Sequence, residues 1–190
     1  MKIYMAGKIS KNDWRHEIVP KLRDSVTNKV PEKWESVSFA LGDSILQYVG
    51  PFFISCDHGC AHGRGEHGSS VATNNVCGDE VWGSKHYSSQ IAKEETFHRC
   101  LSAIHDCDLF FAWLDQRDAH GTLVEIGVAR ALGKTIWIGS PPGFDVDDFW
   151  FAAQASVCGV IYASKTPKEN LLKAITTEKR AAIDPPKPPF

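Results

Sequence analysis

Asp108 to Gly139, DLFFAWLDQRDAHGTLVEIGVARALGKTIWIG, is the stretch whose reading decides the fold. Leu109 to Leu114 is a short apolar run without helical spacing, the pattern of a strand buried on both faces. Gln116 to Gly121 is polar and reads as a loop. Thr122 to Leu132 is apolar on nearly every side, Gly133 supplies a C-terminal stop, and Thr135 to Gly139 is a second buried strand. Only Glu125 and Arg130 bring charge into that helix, and their spacing puts them on different faces. Glu125 therefore needs a partner or a task of its own.

Two readings of Glu125 stand side by side. In the first, Thr122 is the N-cap and Glu125, three residues later, closes a capping box that satisfies two orphan backbone donors. In the second, Glu125 is a reactive carboxylate in the first turn of a helix. There the helix dipole favours its charge, and the strand-end cleft is where open α/β sheets bind ligands.

Working outward, the rest of the chain repeats the alternation of strand and helix. Lys2 to Ala6 is a first strand, followed by a helix from about Asp13 to the Val26 region. Pro31 to Gln47 carries no clear pattern, and Tyr48 to Ser55 reads as a second strand with Gly50-Pro51 at its start. Ser88 to His105 has helical spacing in Ile91, Phe97, Leu101 and Ile104. Asp145 to Ser156 is expected to be a helix and Val157 to Tyr162 a last strand. Thr166-Pro167-Lys168-Glu169 is a capping box with proline at the first helical position, opening a helix to about Arg180. The alternation predicts an α/β, flavodoxin-like three-layer sandwich with a five-stranded parallel sheet in the order 2-1-3-4-5. One domain is expected over residues 1–183, and the Pro-rich tail Asp184 to Phe190 is expected to be mobile.

Composition narrows the function classes. The 190 residues are 43% hydrophobic and 23% charged, with a formal net charge of -2, which suits one ordinary globular domain. There is no basic excess for duplex nucleic acid and no apolar run of membrane-spanning length. MKIYMAGKIS lacks the apolar core of a signal peptide, so a cytoplasmic location is expected, and with it cysteines free of a disulfide framework.

In such a sheet the chemistry belongs on loops that follow the strands. Gly7, Lys8, Ser10 and Asp13 follow the first strand, and Asp115, Arg117, Asp118 and His120 lead into Glu125. Neither GxxxxGK[ST] nor GxGxxG follows a strand, which disfavours a mononucleotide P-loop and a dinucleotide-dependent dehydrogenase. Cys56 to Lys85 has neither period and is rich in Gly, His, Ser and Asn; loops of this length are usually functional or disordered. Its Cys56, His58, Cys60 and His62 alternate, and zinc is one reading. A lid over a substrate pocket is the preferred one, because extended ligands two apart share a face and there is no CxxC pair. No metal and no cofactor are therefore expected. Tyr4 in the first strand reads more readily as a core aromatic with a satisfied hydroxyl than as a catalytic group, and Asp118 and His120 read by default as solvated loop residues.

IYMAG (Ile3 to Gly7), the buried strand after Asp108, and GTLVEIGVARALGK (Gly121 to Lys134) together resemble the nucleoside 2-deoxyribosyltransferase-like family, which includes nucleotide N-glycosidases. The resemblance implies cleavage of the bond between a nucleobase and a sugar. It makes Glu125 the nucleophile on the anomeric carbon, with Tyr4 beside it. It places Gly7 where the nucleobase approaches the backbone and Asp118 as the loop aspartate that binds the sugar or protonates the base. In the family pattern that aspartate falls at Ala119, and a second one falls near Cys100, so Asp57, His58 or His120 is a candidate acid here.

The expected function is N-glycosidic cleavage of a nucleoside or nucleoside 5'-monophosphate through a covalent glycosyl-Glu125, with water or another base as acceptor. Lys8, Ser10, Arg15 and Thr122 are candidates for a 5'-phosphate, and Gly121 for backbone contact with substrate. Cleavage of NAD-type dinucleotides is an enzymatic alternative, and a non-catalytic nucleotide-sensing module is another. The resemblance also implies a homodimer or higher homo-oligomer, for which Phe149-Trp150-Phe151 is a candidate interface or simply core.

Overall fold

The computed structural model describes residues 1–8, 14–19, 36–51, 90–157 and 159–183. Along the chain these form β1 (Lys2–Gly7), α1 (Arg15–Ile18), β2 (Val37–Leu41), β3 (Ser44–Gly50), α2 (Gln90–Asp106), β4 (Leu109–Trp113), α3 (His120–Ala131), β5 (Thr135–Ser140), α4 (Trp150–Ala153), β6 (Tyr162–Ala163) and α5 (Pro167–Ile183). The predicted 56–85 insertion and the 184–190 tail lie outside the described residues.

One six-stranded sheet runs in the order β2-β3-β1-β4-β5-β6. β1 lies parallel to both β3 and β4, and β5 carries β6 on its far side. These five strands keep the expected flavodoxin-like order. The sixth, β2, is a correction: it pairs antiparallel with β3 and turns through Gly42 at φ 56°, a left-handed conformation that glycine adopts freely. Its alternation is plain in the structure, with Val37, Phe39 and Leu41 buried and Ser38 and Ala40 exposed. One face packs on the core and the other meets solvent, as an antiparallel edge permits.

Three further boundaries differ. β3 runs from Ser44 to Gly50, starting before the expected Tyr48, and residues 52–55 of the expected strand lie outside the described residues. The expected Asp145–Ser156 helix is a 3-10 turn at Asp147–Phe149 followed by the short α4, because Asp145 accepts from the Asp147 amide and Arg117 holds Asp145 and Asp148 at 2.6 and 2.5 Å. The last strand shrinks to Tyr162–Ala163, since Gly159 turns at φ 66° and Ser156 exchanges two hydrogen bonds with Val160. Thr166 does cap α5, accepting from the Glu169 amide at 3.1 Å.

Alternation along the strands divides the core in two. Ile3 and Met5 face one layer with Phe111, Trp113, Trp137, Leu171 and Ile175, under α1 and α5. Tyr4 and Ala6 face the other with Phe110, Ala112, Ile104 and Ile126, under α2 and α3. The α1/α5 layer has a polar pin: buried Asn170 accepts from Trp137 Nε1 at 2.7 Å and donates to the Tyr162 carbonyl at 2.7 Å and to Ser164 Oγ at 2.9 Å. Gly139 makes room for it, because a Cβ there would stand 2.5 Å from the Asn170 side chain. Asn170→Ala should cost about 2–4 kcal/mol in urea unfolding, since it strands a buried indole N–H and a carbonyl. A loss below about 0.5 kcal/mol would show that the pin contributes no net stability.

Candidate functional site

The site begins with β1. Its central position sets Tyr4 wholly inside the α2/α3 layer, where its ring stacks on Phe110 with centroids 5.4 Å apart. Across the layer, Tyr4 donates its hydroxyl to Glu125 Oε1. Cys100 of α2 also interacts with that hydroxyl through its thiol. Glu125 thus meets Tyr4 from α3, while Cys100 approaches from α2.

The start of the helix corrects the local reading of Glu125. α3 opens at His120 with Ala119 as N-cap, and no side chain caps it. Thr122 therefore lies inside the helix, and Glu125 falls in the second turn rather than at the third position of a capping box. The capping box is withdrawn, as is the first-turn placement. Gly133, at φ 67°, ends α3: its amide bonds to the Arg130 carbonyl and that of Lys134 to the Ala129 carbonyl.

Burial raises the Glu125 carboxyl above the ordinary glutamate value, opposed by the Tyr4 hydrogen bond and then by the positive charge of Arg15. Tyr4 is held well above its ordinary value, first by burial and then by the Glu125 charge, so it remains a donor across the physiological range.

At the end of β1, Gly7 has φ 156°, and a Cβ would stand 3.1 Å from both Arg15 Nη2 and the Trp113 carbonyl. The next residue, Lys8, forms an ion pair with Asp118 and so joins the loop after β1 to the loop after β4. The Lys8 bond holds the Asp118 carboxyl below its ordinary value. Arg117 links the same loop to Asp145 and Asp148 beyond β5. These exposed pairs add little stability, but they fix the loops relative to one another.

The structure thus brings together Tyr4 with Glu125, and Lys8 with Asp118. His120 and Gly121 are exposed at the start of α3. Thr122 is buried and Arg15 fully so. Ser10, Asp57, His58 and the Cys/His alternation lie outside the described residues. Among the described residues no group of three metal-ligating side chains occurs, and no helix is long and apolar enough to cross a membrane. Cys107 is a core thiol, pushed up to about 11 mainly by burial. Trp150 and Phe151 are exposed, whereas Phe149 is buried. The family pattern pointed to the position of Cys100 as that of an aspartate, and the sequence did not foresee a thiol beside Tyr4 there.

A family model for nucleoside 2-deoxyribosyltransferase matches residues 3–172. The chain belongs to that family. Its chemistry is accordingly glycosyl transfer or cleavage at nucleosides or nucleotides. Among solved structures, the chain is similar to the CMP N-glycosidase BcmB of Clostridium botulinum, with 22% identity and a TM-score of 0.36 over 45% of this chain and 74% of that one. No curated protein matches.

The raised Glu125 carboxyl has a measurable consequence. Glu125 is harder to ionise folded than unfolded, so folding is favoured by its neutral form. That contribution is full below the ordinary glutamate pKa and is lost as pH rises through the raised value. Glu125→Gln, neutral throughout, should match wild type in acid and exceed its stability at neutral pH. Urea unfolding of both proteins at about pH 4 and about pH 8 tests this. A variant less stable at the higher pH would mean that Tyr4 and Arg15 outweigh burial.

Proposed function

We propose that the protein cleaves the N-glycosidic bond of a nucleoside or nucleoside 5'-monophosphate, with Glu125 as nucleophile. The observation that carries this reading is the Tyr4–Glu125 hydrogen bond. It joins a carboxylate on α3 to a phenol fixed in the central strand, in a chain whose family works on this bond.

In the first step a Glu125 oxygen attacks the anomeric carbon as the carbon–nitrogen bond breaks and its electron pair leaves with the base. A proton reaches the base, and the sugar remains as an ester of Glu125. Water or a second base then attacks the same carbon and releases the carboxylate. Developing oxocarbenium charge is stabilised by the ionised carboxylate beneath it. Tyr4 orients one oxygen and spreads its charge, leaving the other free to attack. Asp118, kept ionised by Lys8, suits acceptance from sugar hydroxyls better than delivery of a proton. Lys8 and the exposed start of α3 support a phosphate or polar sugar edge at the same end of the sheet.

Two variants test the roles. Glu125→Gln should lower base release by about a thousandfold or more while substrate binding persists. Tyr4→Phe should lower kcat by roughly ten- to a hundredfold, the worth of a hydrogen bond to a charged group. Free-base release from ribo- and deoxyribonucleosides, their 5'-monophosphates and NAD is the assay, with and without a second base as acceptor. Binding without base release from any of them would replace the enzyme reading with nucleotide sensing, and release from NAD alone would favour a dinucleotide glycohydrolase. With the carboxyl raised by burial, the acid limb of kcat should lie above the ordinary glutamate range.

A further inference from the structure

Arg15 is fully buried, an unusual place for a guanidinium, and its bonds show what it does there. Nε donates to the Met5 carbonyl at 2.7 Å and Nη2 to the Gly7 carbonyl at 2.8 Å. The Trp14 ring lies 4.5 Å from the guanidinium carbon and meets Phe111 edge-on at 5.9 Å, so the cation is also held from the side.

The sheet register explains why these two carbonyls need a donor. Met1 accepts from Gln47 on the β3 side, whereas Lys2 accepts from Asp108 on the β4 side. Carbonyls along a parallel strand alternate in direction, so those of Met5 and Gly7 face the β3 side. Pairing between β1 and β3 ends at Tyr4 with Gly50, while pairing with β4 continues to Gly7. Arg15 therefore occupies the place of a strand along the last part of β1. Its planar fork reaches both carbonyls at once, which a lysine ammonium cannot reproduce with the same geometry.

We propose that Arg15 is a positioning residue for the reaction at Glu125: it ties down the unpaired edge of β1 beside Tyr4 and keeps a buried positive charge within electrostatic reach of the carboxylate. The assignment rests on Glu125 acting as the nucleophile. Its electrostatic part agrees with the effect of Arg15 on the Glu125 carboxyl, which is to favour the ionised form. Among the described residues, the titratable groups around Glu125 are these. β1 contributes Tyr4, α2 reaches the pair through Cys100 against Tyr4, and β4, β5 and α4 present no titratable side chain in their spans. Asp118 and His120 stand at the N-terminal end of α3, the helix that carries Glu125. Gly7 belongs to the arrangement as well, because a side chain there would press on Arg15 Nη2.

The test uses the whole chain, with Arg15→Gln and Arg15→Lys beside wild type. The Glu125 carboxyl is followed by carbon NMR, with Glu125→Gln assigning its signal, and kcat and KM are taken from base release across pH. Arg15→Gln should move the Glu125 midpoint upward. It should lower kcat at about pH 6 by more than about tenfold and recover towards high pH, with KM within about threefold. Arg15→Lys should hold the midpoint near wild type but lose kcat at every pH, because charge remains and the fork does not. A folded Arg15→Gln with the wild-type midpoint, or with a loss that no pH recovers, would overturn the assignment. If neither variant folds, wild type still decides. The Arg15 Nε–H proton signal should move through the Glu125 midpoint, and a signal indifferent to that titration would refute the proposal. The carboxyl and Nε–H titrations need no substrate, so they judge Arg15 even where no base is released and the glycosidase reading itself fails.

Discussion

Tyr4 gives its hydroxyl to Glu125 from a strand that has neighbours on both sides, and the site exists only while that strand holds its register. A slip of one residue would bring Ile3 or Met5 into the α2/α3 layer and turn the phenol into the opposite core. Pairing with β4 runs the length of β1, from Ile3 opposite Leu109 to Gly7 opposite Trp113, and it fixes the height of Tyr4 against α3. On the other side, β3 guides only the first half of the strand. The Tyr4–Glu125 pair thus stands where backbone pairing gives way to side-chain support.

Charge is managed differently at the two depths of the site. Lys8 with Asp118, and Arg117 with Asp145 and Asp148, are solvent-facing pairs whose contribution is geometric. Glu125 is set deeper, where losing water works against its charge, and a phenol donor and a buried cation partly offset that loss. A sheet protein with no reaction to perform would gain stability from a neutral side chain there. Keeping the carboxylate is the kind of local cost that active sites carry.

Much of this was legible in the sequence. Uniformly apolar runs at 109–114 and 135–139 mark strands buried on both faces, and polar residues between them mark the loop at the functional edge. Glu125 stood out because nothing on its own helix pairs with it. Its partner Tyr4 is 121 residues away, so the residues alone favoured a core aromatic there, and only the family resemblance joined the two. The edge hairpin was missed although Val37-Ser38-Phe39-Ala40-Leu41 alternates, because it sits in a region without flanking pattern. The bonds of Arg15 were hidden for a related reason. A guanidinium near a glycine loop suggests phosphate, whereas its bonds to the Met5 and Gly7 carbonyls follow from the direction that the sheet register gives those carbonyls.

The environments of the three ionisable side chains also constrain where protons go in the proposed reaction. Tyr4 holds its proton too firmly to give it away, and Asp118, stabilised as an anion by Lys8, has none to give near neutral pH. Glu125 must be ionised to attack. None of the three can therefore protonate the departing base while performing its own role. Among the described residues at this edge, His120 is exposed at the start of the helix that carries Glu125, with ring nitrogens that can donate or accept a hydrogen bond. That division assigns the carboxylates to charge and orientation, and leaves proton delivery to the rim of the site rather than its floor.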